Sequence, residues 1–307
     1  MSMDSVSKAI EAVIAQLPHL EFRLGEPMKK HTSFRIGAPV RAMLFPKTTQ
    51  EMAQLSGTLS RFGIVPLIFG NGTNLLVDDR KTLEMIAVKT TGVSEIVQTG
   101  ETQITAAMGA SLSRLAVFAC ECGLTGLEFA HGIPGSLGGA VSINAGAYGR
   151  EMKDIVLSTD AISDVAGFYC VAGEEHGFSY RHSRFTDAND IVLSSTLLLQ
   201  KSDEDKIKAK MGELAERRRE SQPLDSLSAG STFKRPKGGY AATLIEQAGL
   251  KGFSIGEAQV SEKHAGFVVN NGAATFGDVM AVIDHVRETV FARFGVELEL
   301  ENKIVRS

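Results

Sequence analysis

Apolar residues recur at helical spacing over residues 4–17, where Val6, Ile10, Val13, Ile14 and Leu17 share a face and Asp4 or Ser5 is placed to cap the first turn. An apolar run at 40–46 (VRAMLFP) reads as a strand, a helical pattern over 49–62 stops at Gly63, and VPLIFG at 65–70 reads as the next strand, giving a βαβ unit. From 84 to 109 short strands dominate, with Gly100 in a hairpin turn; a helix over 111–122 is closed by Gly123. Residues 123–149 then break both periods. They are dense in glycine and carry no charge except Glu128, which is too constrained for a linker and too apolar for disorder. Strand patterns resume after 150, with DVAG (164–167) as a turn, and end in IVLSSTLLLQ (191–200). A polar helix over 203–220 starts acidic and ends basic, matching the helix dipole, and the composition shift places a domain boundary near 202–206. A smaller αβ unit follows, with a helix within 239–248, a strand at 264–270 and a helix from 275 to 294. The final ELELENKIV (297–305) alternates like a strand without a local partner, so it is expected to return to the first domain or to line the site.

Length and charge narrow the class. A chain of 307 residues has room for two or three domains, and a net charge of −4 leaves no cationic excess for a general nucleic-acid binder. No apolar run approaches the ~18 residues of a membrane span, and the first sixteen residues lack the pattern of a signal peptide. Cys120, Cys122 and Cys170 form no C-x-x-C and cannot all pair, which fits a reduced, cytoplasmic protein. Cys120 and Cys122 read as small buried hydrophobes, and no metal site is expected.

Two glycine-rich stretches raise the chemical question. IFGNGTNLLV (68–77) has neither the GK[ST] of a nucleotide triphosphatase nor the spacing G-x-G-x-x-G, and residues 75–79 are too short a stretch for the helix that both motifs require. In GIPGSLGGAVSINAGAYG (132–149), Gly135, Gly138 and Gly139 bare the backbone while Pro134 stiffens it. Close-packed turns between strands also use glycine. Two such segments, neither opening a phosphate-binding helix, favour a large flat ligand with a diphosphate, and a flavin dinucleotide has that shape.

Six blocks resemble one family in content and order. HTSFRIGAP (31–39), GNGTNLLV (70–77), GLEFAHGIPGSLGGAVSINAGAYG (126–149), FSYRHSRF (178–185), SAGSTFKRP (228–236) and KHAGFVVN (263–270) are similar to the UDP-N-acetylenolpyruvoylglucosamine reductase family, over roughly residues 20–305. The resemblance implies an α+β protein: a vanillyl-alcohol-oxidase-type, two-part FAD-binding domain plus a smaller αβ substrate-binding domain. The expected boundaries are 1–88 for the first FAD subdomain, joined by the C-terminal strand 297–307, then 89–204 for the second and 205–296 for the substrate domain. It implies non-covalent FAD, NADPH as hydride donor, a UDP-sugar enolpyruvyl ether as substrate, and a place in peptidoglycan precursor synthesis. No nucleic acid or membrane partner is implied, and the protein is expected to be a monomer or weak oligomer.

The same resemblance assigns residues. Gly70, Asn71, Gly72, Thr73, Asn74 and Leu75 would wrap the FAD pyrophosphate through backbone N–H groups, with Ile133, Pro134, Gly135, Gly138, Gly139, Asn144 and Gly146 completing the cofactor site. Arg181 matches the catalytic arginine, whose permanently charged fork fits a carboxylate. Ser231 matches the proton donor, with Lys234 as a candidate to polarise it. Glu301 aligns with the third catalytic residue in a PEVR-like segment; Leu300-Glu301-Asn302-Lys303 departs from it at three positions of four, and Glu297 and Glu299 share the strand face. Tyr148, Arg219 and Lys234 fall at substrate positions, while the run Arg217–Arg219 also reads as a basic helix end. The gap between Arg181 and the helix at 203 leaves no room for the tyrosine loop of some relatives, so the chain resembles the subtype lacking it. Two rival readings are an alcohol oxidase of the same fold and a non-catalytic UDP-sugar sensor. The oxidases often tether FAD through a histidine near the loop, and no histidine lies between His31 and His131.

Overall fold

The computed structural model describes residues 3–163, 167–188 and 190–306; the turn expected at 164–167 falls largely outside them. The chain forms two compact units that share it in alternation. One takes in the chain up to Leu24, Ala42–Asn71 and Met85–Arg217; the other Gly25–Arg41, Gly72–Glu84 and Arg218 onward.

In the first unit, a helix at Met3–Gln16 begins ahead of the expected cap, and Val6, Ala9 and Val13 on its inner face are buried. The helix Thr49–Arg61 follows its sequence signals: the Thr48 hydroxyl accepts from the Glu51 N–H at 3.0 Å, and Gly63 leaves in the left-handed region at φ +65°. Its Met52, Leu55 and Leu59 are fully buried in one cluster with Leu44, Ile86 and Val88, each side chain contributing about 1.5–3 kcal/mol by leaving water. The sheet beside it runs Glu21–Leu24, Val40–Phe45, Leu83–Lys89, Leu67–Phe69. The strands of the expected βαβ unit are therefore not neighbours, because Leu83–Lys89 lies between them and pairs in parallel with Leu67–Phe69. A second, antiparallel sheet orders Gly167–Ala172, Val156–Ser163, Ile191–Leu198, Gln103–Ala107 and Ile96–Gly100. A core cluster of this sheet joins it to the helix Leu112–Glu121 through Leu112, Leu115 and Ala119. The stretch read as bare loop contains a short helix, Leu137–Ser142, whose glycines hide it from any propensity argument. Tertiary bonds hold it: the Leu137 and Gly138 N–H groups donate to the Ala110 and Met108 carbonyls.

In the second unit a four-stranded antiparallel sheet orders Leu227–Ser228, Val268–Asn270, Ala258–Val260 and Ser254–Ile255. The helix Phe276–Phe294 buries Val279, Val282, Ile283, Val286 and Val290 in that unit's core. A reciprocal Thr275–Asp278 capping box opens it, and Gly295 at φ +67° ends it. The C-terminal stretch is not one continuous strand. Leu300 bridges Phe233, Asn302 turns inward, and only Lys303–Val305 forms a strand, parallel to Leu75–Val77.

That parallel pair ends in an ionic clasp. Asp78, 3% exposed, accepts from the Val305-bonded turn's Arg80: backbone N–H at 3.0 Å, Nε at 2.9 Å and Nη2 at 2.5 Å. The guanidinium groups of Arg80 and Arg306 lie 5.4 and 5.2 Å from the Phe276 ring centroid, and Asp79 accepts from the Phe276 N–H at 3.1 Å. Hydrogen bonding to Arg80 holds the Asp78 carboxyl down at about 2. A carboxylate whose folded pKa is depressed stabilises the fold above its unfolded value near 3.9 and loses that contribution as pH falls through the folded value. Asp78→Asn is therefore expected to destabilise the protein by about 2 kcal/mol at neutral pH, the scale of a hydrogen bond to a charged group. Denaturant melts of both proteins should converge between about pH 4 and pH 2; a gap that stays constant across that window would remove the ionic role.

Candidate active site

The chain leaves the strand Leu67–Phe69 directly into Gly70. A Cβ there would collide with Ser136 Oγ, and the next side chain, Asn71, donates Nδ2 to the Pro134 carbonyl at 2.9 Å. The two glycine-rich stretches of the sequence are thus in contact within the first unit.

Not every glycine in them serves the same end. Gly72 sits at φ +64° in the second unit, and a Cβ on it would strike the His31 carbonyl. Packing against the protein's own backbone is by itself enough to require glycine here. Gly138 packs on Met108 and Gly146 on Arg150 and Glu151 in the same way. Gly135 and Gly139 differ. Neither has a left-handed φ, and a Cβ on them would meet nothing nearer than 3.7 and 3.9 Å. Neither conformation nor packing within the protein demands glycine at these two, so the residues fit an outside group lying flat against the backbone, as an FAD diphosphate does.

Three residues of the expected site hold left-handed backbone without being glycine: Asn144 at φ 44°, Tyr148 at φ 55° and Arg181 at φ 54°. Such strain costs about 1–3 kcal/mol and persists only where the surroundings over-determine it. The surroundings are on view. Ser179 and His182 exchange backbone hydrogen bonds at 3.0 and 3.3 Å, which closes a tight turn with Tyr180 and Arg181 at its tip. Asn144, fully buried, donates to the Ser179 carbonyl and to Glu151, and accepts from the Lys153 N–H. Its side chain is thereby committed to the protein; Asn144 braces the arginine turn, and only its backbone is left for a cofactor. Ser183 and Thr186 both donate to the Ser142 carbonyl at 2.6 Å, so the turn is also pinned to the end of the helix Leu137–Ser142. The Arg181 guanidinium lies 5.1 Å from the Tyr180 ring centroid. Tyr148 donates its hydroxyl to the Leu214 carbonyl at 3.0 Å, and Arg217 stacks on its ring at 5.2 Å.

The second unit assembles the remaining catalytic candidates. Lys234 N–H donates to the Glu299 carbonyl and Glu301 N–H to the Thr232 carbonyl, on either side of the Phe233–Leu300 bridge. This register sets Thr232 opposite Glu301 and Ser231 opposite Asn302. Glu297 and Glu299 are exposed, and Glu299 is 3.4 Å from Lys234 Nζ, whereas Glu301 is half-buried. The three glutamates are thereby distinguished. Lys234 is engaged with Glu299, which weakens its case as the group that polarises Ser231. Asn74, expected at the cofactor, spends its side chain on the C-terminal segment: Nδ2 donates to the Glu301 carbonyl at 3.1 Å and Oδ1 accepts from Asn302 Nδ2 at 3.1 Å. Of the arginine run, Arg219 is exposed and Arg218 is 6% exposed. Asn302 is the residue that sequence reasoning passed over. Its signal was present as a polar side chain inside an otherwise alternating apolar segment.

Residues 222–305 match the family described as UDP-N-acetylenolpyruvoylglucosamine reductase, C-terminal domain, and residues 40–167 match the FAD binding domain family. The UDP-N-acetylenolpyruvoylglucosamine reductase of Caldanaerobacter subterraneus subsp. tengcongensis is 49% identical over 92% of this chain and 93% of its own. The chain belongs to the UDP-N-acetylenolpyruvoylglucosamine reductase family. The reductase of Agathobacter rectalis is 44% identical over 96% of this chain and 98% of its own. The crystal structure of the Thermus caldophilus reductase superposes with a TM-score of 0.77 at 31% identity, covering 94% of this chain and 99% of that one. The fold is accordingly α+β, with an FAD-binding domain and the reductase C-terminal domain, and the protein is an FAD-dependent oxidoreductase.

The two kinds of glycine separate in experiment. Gly135→Val and Gly139→Val are expected to fold with apoprotein melting temperatures near that of the parent, yet to purify with little flavin absorbance. Gly72→Ala should instead lower the melting temperature, by more than about 1 kcal/mol in stability, because the new side chain meets backbone at a left-handed φ. Full flavin occupancy in both valine variants would refute the cofactor placement.

Proposed function

We propose that this protein catalyses the NADPH-dependent reduction of UDP-N-acetylglucosamine enolpyruvate to UDP-N-acetylmuramate, a cytoplasmic step in peptidoglycan precursor synthesis. The observation that carries the reading is the pairing of the Ser231 and Glu301 segments, joined through Asn74 and Asn302 to the loop expected to hold the cofactor diphosphate. Among the described residues no helix is long and apolar enough to cross a membrane.

When bound, FAD supplies hydride transfer between the nicotinamide and the vinyl carbon. The chain's own residues do the rest. Hydride addition to the terminal carbon pushes charge onto the enolpyruvyl carboxylate, and the adjacent carbon must then take a proton. Arg181 offers a guanidinium fork for that carboxylate, held in place by a turn that Asn144 and Ser183 brace. Ser231 Oγ gives the proton, and the half-buried Glu301 carboxylate supports its supply. Tyr148 and Arg219 contact the nucleotide sugar.

The reaction divides into two halves that can be watched by colour. NADPH alone should bleach the bound flavin, and the enolpyruvyl substrate alone should restore it under anaerobic conditions. Protein that bleaches but recolours only with oxygen would favour an oxidase. Arg181→Lys is expected to leave bleaching intact and to slow recolouring by about 10² or more, the scale of losing one charge-stabilising donor. Ser231→Ala should slow recolouring by about 10² to 10⁴, as for a positioned acid, with folding and flavin content held. Glu301→Gln should slow the same half, and Glu299→Gln should be nearly silent. If Glu299→Gln were the damaging change, the proposed use of this segment would be wrong.

A further inference from the structure

Asn302 is a buried amide, 6% exposed, whose nitrogen faces three oxygen atoms: the Ala229 carbonyl at 2.8 Å, the Ser231 carbonyl at 3.2 Å and Asn74 Oδ1 at 3.1 Å. The orientation of the amide follows from this setting, since the inverted group would place an oxygen against two backbone carbonyls. The two carbonyls flank Gly230, which stands at φ +75° with only the Thr73 carbonyl within 4 Å of where a Cβ would be. No side chain at 230 can fix this turn by packing, so its geometry depends on bonds made from outside it. Asn302 provides them. On its other side Oδ1 is buried and has no partner among the described residues, a condition that carries a desolvation penalty. An apolar residue of the same volume would avoid that penalty. A polar side chain retained at this expense indicates that the work of its nitrogen outweighs it.

We infer that Asn302 is a positioning residue for the reaction: it clamps the Ala229–Ser231 turn to Asn74, so that the aim of the Ser231 hydroxyl and the shape of the cofactor loop are set together. The inference rests on the reading of Ser231 as proton donor. Binding of the cofactor against residues 70–75 and delivery of the proton are then coupled through one amide.

The test uses Asn302→Leu in the full-length enzyme, alone and combined with Ser231→Ala. Removing the amide relieves the orphaned oxygen but strips the Ala229 and Ser231 carbonyls of this donor, so the melting temperature of the apoprotein should fall, and the positioning role is read from the separate half-reactions. Titration of apoprotein with FAD, followed by flavin fluorescence, should give a Kd raised about 3- to 10-fold, as for one lost hydrogen bond. Bleaching by NADPH should stay within about twofold of the parent, while recolouring slows about 10- to 100-fold, the scale of a small misplacement of a reacting group. In the Ser231→Ala background, Asn302→Leu should produce no further slowing, because there is no hydroxyl left to aim; the loss of FAD affinity should persist. Should the leucine variant fail to fold, Asn302→Ser keeps one donor and is expected to show the same pattern in smaller measure. An equal further slowing in the double variant, or unchanged FAD affinity in the single one, would overturn the positioning role. A parent enzyme that bleaches yet never recolours with the enolpyruvyl substrate would instead overturn the reading of function, and this role with it.

Discussion

Residue 74 and residues 301–303 share one set of hydrogen bonds although they stand more than two hundred positions apart: Asn74 gives Nδ2 to the Glu301 carbonyl, its Oδ1 takes Asn302 Nδ2, and its carbonyl takes the Lys303 N–H at 2.9 Å. Much else in the second unit depends on this junction. It delivers the chain end into the parallel pair with Leu75–Val77, and it sets the register that brings Glu301 beside Thr232. The Phe233–Leu300 bridge then places both segments on the core that Phe276–Phe294 covers. Contacts of such sequence separation carry a loop-closure penalty that only a complete set of partners offsets. Residues 300–305 are therefore structural members of the second unit.

The glycines illustrate how one residue type answers two physical demands. At Gly70, Gly72, Gly138 and Gly146 the missing side chain lets one part of the protein lie against another, with Ser136, His31, Met108 and Arg150 as the neighbours. At Gly135 and Gly139 the protein leaves ordinary van der Waals distance. Only the second kind leaves room for an outside group, and no pattern in the sequence separates the two. The same holds for the asparagines. Asn71 holds the two loops together, Asn74 the chain end and Asn144 the arginine turn, so three amides that the family resemblance assigns to the cofactor site also serve as internal fasteners.

Helices with strong end signals were legible to within a residue or two. The Thr48–Glu51 bond and the Thr275–Asp278 box close over the positions that the pattern marks, because capping is a local interaction written in adjacent residues. Sheet order was not legible: the strand Leu83–Lys89 inserts between Val40–Phe45 and Leu67–Phe69, and nothing within a short window encodes a neighbour forty residues away. The helix Leu137–Ser142 was hidden because its glycines have low propensity and its anchors, Met108 and Ala110, lie elsewhere in the sequence. For the site, motif blocks supplied candidate residues but not the bonds that their side chains make within the protein. The difference between Glu299 and Glu301 is one of burial and partner, which alternation alone cannot supply.

Strain completes the argument about Arg181. Asparagine tolerates a left-handed backbone, but tyrosine and arginine do so at a penalty, and both stand among the four described non-glycine residues with positive φ. A turn needing that geometry for its path alone would be satisfied by glycine, as it is at Gly126 and Gly132. Arginine at the tip keeps a side chain that glycine lacks, and the surrounding bonds from Asn144, Ser183 and Thr186 supply the stability needed to hold it there. The structure thus fixes the backbone beneath a half-buried arginine, which is what the proposed carboxylate-binding role requires if the field is to be in place before charge develops. A strained backbone braced from three side chains is what separates this arginine from one on an unconstrained surface turn.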